Sequence, residues 1–176
     1  SIVAANSDLS SADIQMAEIS QRSTRLKNAF ARSVTTLKDY DFVFLDCPPS
    51  LSLLTINAMV AANSILVPLQ SEFFALEGLS QLKLKVRQIR EGAKPKLRIE
   101  GVIQTMYDGR NNLSLQVAED ARETLGELVF DTVIPRNVRL SEAPSFAIPV
   151  LQYDPLSKGS LADQARAQEL VTRDVA

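Results

Sequence analysis

Tyr40-Asp41-Phe42-Val43-Phe44-Leu45-Asp46-Cys47-Pro48-Pro49-Ser50 is the stretch whose reading decides the fold. Phe42, Val43, Phe44 and Leu45 form an unbroken apolar run, aromatic or β-branched at three of its four positions. Such a run reads as a strand, Phe42–Asp46, buried on both faces in a parallel sheet. Asp46 then falls at the carboxyl end of the strand, the rim where open α/β sheets place their ligands. Pro48 and Pro49 donate no backbone N–H and fix φ, so pairing stops there and the carboxylate stands on a stiff loop. An aspartate in that position reads in two ways. It is the metal-side carboxylate of a nucleoside-triphosphate site, holding Mg²⁺ beside the phosphates, or a strand end that caps the next helix. The stretch alone leaves both open.

Working outward, strands and helices alternate. Ser1–Ala5 reads as the end of a strand, and Ser10 or Ser11 as the cap of a helix carrying Ala12, Ile14 and Ile19. A helix from about Ser23 to Leu37 is basic on its outer face through Arg25, Lys27 and Arg32. Leu53 to about Asn63 reads as an apolar helix, Ser64–Leu69 as a buried strand, and Phe73–Glu91 as a long helix. The last carries Leu79, Leu82, Val86 and Ile89 at spacings of three and four, a core-facing stripe. Ile99–Met106 is the next strand, followed by the turn-rich loop Tyr107–Asn112. A helix from about Ser114 to Leu128 places Val117, Ala121 and Leu125 on one face. Val129–Ile134 is a further strand ended by Pro135, Arg136–Ser145 a polar loop at the same rim, Pro149–Leu151 a short extended piece, and Lys158 to about Val175 a terminal helix. Alternating βα units predict an α/β fold with a mostly parallel sheet flanked by helices. With neither an internal repeat nor a linker, residues 1–176 read as a single domain.

Composition removes several chemistries. The 176 residues include no histidine, which excludes histidine general bases, Ser-His and Cys-His nucleophile pairs, and histidine-held metals. Cys47 is the single cysteine, so an internal disulfide and a cysteine-rich zinc site are excluded, and a reducing compartment is expected. No apolar run approaches the roughly 20 residues of a membrane helix. Net charge is −2, so contact with nucleic acid must come from local basic patches. Lys83–Arg98 is one such patch, seven basic residues against Glu91 alone, and reads either as a partner-facing surface or as ordinary solvated helix.

Four segments together carry a resemblance: Tyr40–Leu54 (YDFVFLDCPPSLSLL), Thr55–Ala61 (TINAMVA), Phe73–Gln81 (FFALEGLSQ) and Val133–Ser145 (VIPRNVRLSEAPS). With Tyr153-Asp154-Pro155, they make the chain resemble the ParA/Soj family of chromosome-partitioning ATPases over nearly its whole length. The resemblance implies a P-loop NTPase-like fold and assigns roles residue by residue. Asp46 is implied as the switch II aspartate, reaching Mg²⁺ through water, with Pro48 and Pro49 in the same nucleotide-sensing switch. Pro135 and Asn137 fall where the family holds the adenine of ATP, and Arg110 and Arg139 where its arginines contact DNA without sequence preference. Implied partners are DNA, a ParB-type centromere-binding protein and a second copy joined on ATP, in the cytoplasm at the nucleoid.

The family's phosphate loop (KGGVGKT) and switch I (DxDPQ) do not occur in the sequence. The resemblance therefore implies the carboxyl-terminal two-thirds of such an ATPase, its amino-terminal strand or strands missing, and no catalytic residue in this chain. A strand buried on both faces and deprived of its neighbour presents an unpaired edge, so the chain alone is expected to be poorly stable and unable to hydrolyse ATP. Two other readings stand beside this one. A MinD-like positioning ATPase would end in a basic amphipathic membrane helix, whereas the segment from Leu161 to Ala176 has only Arg166 and Arg173 as basic residues. A non-catalytic binding module would keep only the DNA or partner surface.

Overall fold

A computed structural model describes residues 1–11, 15, 16, 19–72 and 75–175. The helical elements used below are α1 (Arg25–Arg32), α2 (Leu53–Ala61), α3 (Ala75–Glu91), α4 (Asn112–Leu125), α5 (Val138–Glu142), α6 (Val150–Tyr153) and α7 (Lys158–Val175). The strands are β1 (Ser64–Gln70) and β2 (Arg98–Thr105). The chain divides into two compact units, one formed by Ser1–Ile65 with Leu84–Arg98, the other by Leu66–Lys83 with Ile99–Ala176.

In the first unit α1 packs on α2. The pairing is organised by Asn57, a buried amide on α2 whose hydrogen-bonding groups are both engaged. Its Nδ2 donates to the Arg22 carbonyl at 2.7 Å and to the Leu53 carbonyl at 2.9 Å, and its Oδ1 accepts from the Leu26 N–H at 3.3 Å. A buried amide so satisfied costs little and fixes the register of the two helices. Around it Ala58, Met59 and Val60 supply apolar burial, and Val86, Ile89 and Leu97 form the buried side of the unit's other segment.

In the second unit β2 is covered on both faces. Gly101, Val102, Ile103 and Gln104 are all buried. Successive side chains of a strand point to opposite faces. Ile103 joins Phe130 and Leu170 of α7 in one apolar cluster, while Gln104 donates its Nε2 hydrogen to the Ala118 carbonyl of α4 at 3.0 Å. Helices thus lie on both sides of a parallel sheet, as the sequence pattern predicts. On α4 the stripe of Val117, Ala121 and Leu125 is buried as expected, and Gly126, with φ of +56°, ends the helix.

Gly101 explains how closely the sheet's neighbours approach. A Cβ there would lie 2.3 Å from Cε2 of Phe130, whose ring is fully buried. Two arginines of α7 close over the other contacts of that ring, Arg173 at 4.2 Å and Arg166 at 5.2 Å from its centroid. Arg173 also donates to the carbonyls of Glu127 and Val129 and pairs with Glu169 at 2.8 Å. Glu169 in turn accepts the N–H groups of Asp131 and Thr132 at 2.8 and 3.0 Å. Burial opposes ionisation of Glu169, yet these N–H groups and Arg173 outweigh it, and the carboxyl titrates below the usual glutamate range.

Several local expectations are corrected. Residues 42–46 form no strand, and Phe42, Val43 and Phe44 are 42, 50 and 69% exposed. The physical reason is that an extended segment becomes a strand only when a neighbour completes its hydrogen-bond ladder, and none of the described residues does so. Ser1–Ala5 likewise is exposed and unpaired rather than a strand end. Residues 129–134 run beside β2 with parallel pairing at Val102 and Val129, but as isolated bridges rather than a continuous strand. The expected polar loop at 136–145 is α5 followed by a 3₁₀ turn, Ala143–Phe146, and the expected extended piece at 149–151 enters α6. In both places a local residue sets the helix start: Asn137 caps α5 through its side chain, and Pro149, with its fixed φ, stands before α6. Ala12 and Ile14, and Phe73 at the expected start of α3, lie outside the described residues.

Candidate nucleotide and nucleic-acid site

Asp46 lies in the first unit on the exposed segment that precedes α2. Ser52, not Asp46, occupies the N-cap position of the helix that follows, and no side chain makes a capping bond there. The Asp46 carboxylate accepts no hydrogen bond from the described residues, and Pro48 and Pro49 beside it are exposed. The neighbouring Cys47 thiol titrates above its ordinary range, through partial burial of its sulfur and then the Asp46 charge. Among the described residues no three carboxylate or thiol groups converge on one point. A lone free carboxylate suits Mg²⁺, which keeps several waters and takes its remaining oxygens from phosphates rather than from a protein cage.

The other predicted residues belong to the second unit, where the structure brings their loops together. Beyond β2 the chain turns through Met106 in the left-handed region, with φ of +54°. Tyr107 then pairs with Pro135 in a parallel bridge. The Tyr107 N–H donates to the Ile134 carbonyl at 3.1 Å and the Arg136 N–H to the Tyr107 carbonyl at 2.9 Å. These bonds lock the segment carrying Arg110 to the segment carrying Pro135, Asn137 and Arg139.

Arg110 is 90% exposed, yet its guanidinium is held. Its Nε and Nη2 donate to the two carboxylate oxygens of Asp108 at 3.0 and 2.9 Å, and its own N–H donates to Asp108 Oδ1 at 3.1 Å. The Asp108 N–H is anchored on the buried Ser114 hydroxyl at 3.1 Å. The Arg110 guanidinium drives the Asp108 carboxyl down to about 2. Asn111 begins α4, its side chain accepting the Leu113 N–H at 3.0 Å.

Asn137 spends its side-chain oxygen on the Arg139 N–H at 2.8 Å, opening α5. Its Nδ2 makes no hydrogen bond to the described residues, so a donor group is left toward any ligand. Arg139, half exposed, donates from Nη1 to Glu142 at 2.8 Å and forms an ion pair with Asp154, its Nε 3.3 Å from the carboxylate. The Tyr153 hydroxyl also donates to Glu142, at 3.2 Å, while its ring stacks on Phe146 with centroids 5.0 Å apart. Arg139 holds the Glu142 carboxyl below its usual range, with Tyr153 assisting.

Reading the sequence for cations alone misses Asp108, Glu142 and Asp154. Two signals point to them. Asp108 stands two residues before Arg110, where an aspartate folds back on a turn, and Glu142 stands three residues after Arg139, neighbouring positions on a helix. Asp154 belongs to a motif whose tyrosine and aspartate both return to α5.

Comparison with known proteins identifies the family. A family model described as an AAA domain matches residues 1–99. The chromosome partitioning protein ParA of Caulobacter vibrioides is 49% identical over 173 residues, covering 98% of this chain and 64% of that protein. The chromosome-partitioning ATPase Soj of Treponema pallidum is 42% identical, covering 98% of this chain and 67% of its own length. Among solved structures, cobyrinic acid a,c-diamide synthase from Mycobacterium smegmatis with bound ADP and magnesium superposes with a TM-score of 0.72 at 31% identity, over 97% of this chain and 58% of that one. The chain thus spans about two-thirds of the length of the curated relatives it matches. It belongs to the ParA/Soj family of chromosome-partitioning ATPases.

Proposed function

We propose that the chain is the carboxyl-terminal part of a single ParA-type ATPase domain that joins two copies on ATP, coats DNA without sequence preference, and moves replication origins or plasmids with a ParB-type partner. In this reading the protein works in the cytoplasm, on the nucleoid. Asp46 holds Mg²⁺ through water, and Pro48 and Pro49 stiffen the switch that reports which nucleotide is bound. Pro135 closes against the adenine ring while the free amide nitrogen of Asn137 serves a ring acceptor. Arg110 and Arg139 contact DNA phosphates. Bound ATP and Mg²⁺ supply the phosphoryl group and its charge neutralisation; this chain's residues orient them.

The observation that supports the reading is the Tyr107–Pro135 pairing, which ties the segment carrying Arg110 to the one that leads into Arg139. Two loop arginines on one copy make a meagre footprint, and two copies joined on ATP double it. Contacts to phosphate release counterions, so retention falls steeply with salt. The terminal helix does not favour membrane placement, since both its arginines lie over Phe130. No helix among the described residues is long and apolar enough to cross a membrane.

The test uses the chain extended to the full length of its ParA relatives. Arg110→Glu and Arg139→Glu are each expected to abolish ATP-dependent retention on DNA of arbitrary sequence and to leave ATP binding intact. Undiminished retention, or loss of ATP binding instead, contradicts the assignment.

A further inference from the structure

We propose that Asp108, Glu142 and Asp154 are built-in competitors of phosphate for Arg110 and Arg139, so that DNA binds by exchanging carboxylate for phosphate. The inference rests on the reading of those arginines as DNA contacts and adds how their affinity is set.

Arg110 already makes the fork-shaped bidentate contact that a phosphate would otherwise receive, its Nε and Nη2 on the two oxygens of Asp108 at 3.0 and 2.9 Å. Arg139 divides itself between Glu142 at 2.8 Å and Asp154 at 3.3 Å. One cation thus faces one carboxylate in the first loop, and one cation faces two in the second. The arginines are not free charges waiting for DNA.

Both pairs are open to solvent, the Arg110 side chain 90% and the Arg139 side chain 51% exposed. Exposed ion pairs are weak and exchangeable, unlike buried ones. A polyanion that also releases counterions can displace them.

The carboxylates do not leave when the guanidinium does. Asp108 remains pinned by its N–H on the Ser114 hydroxyl and by the Arg110 N–H on Oδ1. Glu142 keeps the Tyr153 hydroxyl. A fixed anion therefore stays beside the bound phosphate and holds the complex weaker than the arginines alone would make it.

The experiment measures binding of a duplex of arbitrary sequence, by fluorescence anisotropy with ATP present, to the chain extended to full length. Asp108→Asn keeps an oxygen for the Arg110 N–H while removing the charge. It is expected to raise affinity about three- to fivefold, and the gain is expected to vanish in an Arg110→Ala background. Glu142→Gln is expected to act in the same direction through Arg139, independently of the first loop. If Arg110→Ala weakens binding but neither Asp108→Asn nor Glu142→Gln strengthens it, the competition is overturned and the DNA reading stands. An Asp108→Asn gain that persists without Arg110 reduces the effect to general charge and also overturns it. If Arg110→Ala leaves binding unchanged, the DNA reading itself fails and the competition with it.

Discussion

Tyr107 and Pro135 are paired in parallel, with backbone hydrogen bonds of 3.1 and 2.9 Å on either side of the bridge. The pairing extends the edge of β2 past its last regular residue. It places the turn after β2, which leads to Arg110, beside the segment that leads to Asn137 and Arg139. The proposed function needs this junction rigid at its base and the arginine side chains exchangeable at its tips.

The exchangeable tip has a pH signature. Asp108 is driven down to about 2 by Arg110, so its contact is complete above the ordinary aspartate range and is lost as pH falls toward 2. A carbon-detected NMR titration is expected to show that depressed midpoint in the parent chain. In Arg110→Ala the midpoint is expected to rise toward the unperturbed 3.8. An unchanged midpoint would show that the pair does not form in solution.

The rigid base depends on Gly101. Its missing Cβ leaves room for Phe130, which would otherwise lie 2.3 Å away. Gly101→Ala is expected to destabilise the protein by about 1–3 kcal/mol, read as a lower midpoint in urea unfolding. A neutral substitution would mean that Phe130 does not fill that space.

Glu169 and Arg173 fasten α7 to residues 127–132. Replacing Glu169 by Ala strands two backbone N–H groups and an arginine, and about 2 kcal/mol of stability is expected to go with it. Glu169→Gln keeps an acceptor and is expected to cost less. Because the Glu169 carboxyl is depressed, its contribution is full above the usual glutamate range and drains away as pH falls below it. Unfolding of the parent and Glu169→Gln proteins across acidic pH checks the sign: the gap between them narrows on acidification.

The exposed run at 42–44 has a solution consequence. Phe42 and Phe44 stack at 6.1 Å but remain open to water, with Ile2 and Val3 also exposed. Patches of this kind bind hydrophobic dyes and drive association. The 176-residue chain is expected to bind such a dye and to associate, and Phe42→Ser with Phe44→Ser is expected to reduce both without lowering the unfolding midpoint. A monomeric parent chain that binds no dye would show that this run is covered in solution.

How much was legible varied with the range of the interaction. The helical stripes of α3 and α4 were readable because periodicity records which face is buried, and Leu79, Val86 and Val117 are indeed in the core. The strand at 42–46 was equally clear as a pattern and yet is unpaired, because a strand is made by its neighbour and local sequence cannot supply one. Asn137 was read as a loop residue with a ligand role; its capping of α5 is a local signal that the prolines on either side obscured. The arginines are legible as cations, while their carboxylate partners are set by the fold. Asp154 in particular reaches Arg139 from just past the end of α6, a contact that tertiary structure alone reveals.

The claim at the centre of the account is that Asp46 marks a nucleotide site which this chain cannot complete. ATP turnover tests it most directly, measured on the 176-residue chain, on the chain extended through a phosphate loop, and on the extended chain with Asp46→Asn. The account predicts no turnover by the first, DNA-dependent turnover by the second, and turnover reduced about a hundredfold or more in the third. Turnover by the 176-residue chain alone, or full turnover with Asn at position 46, would contradict it.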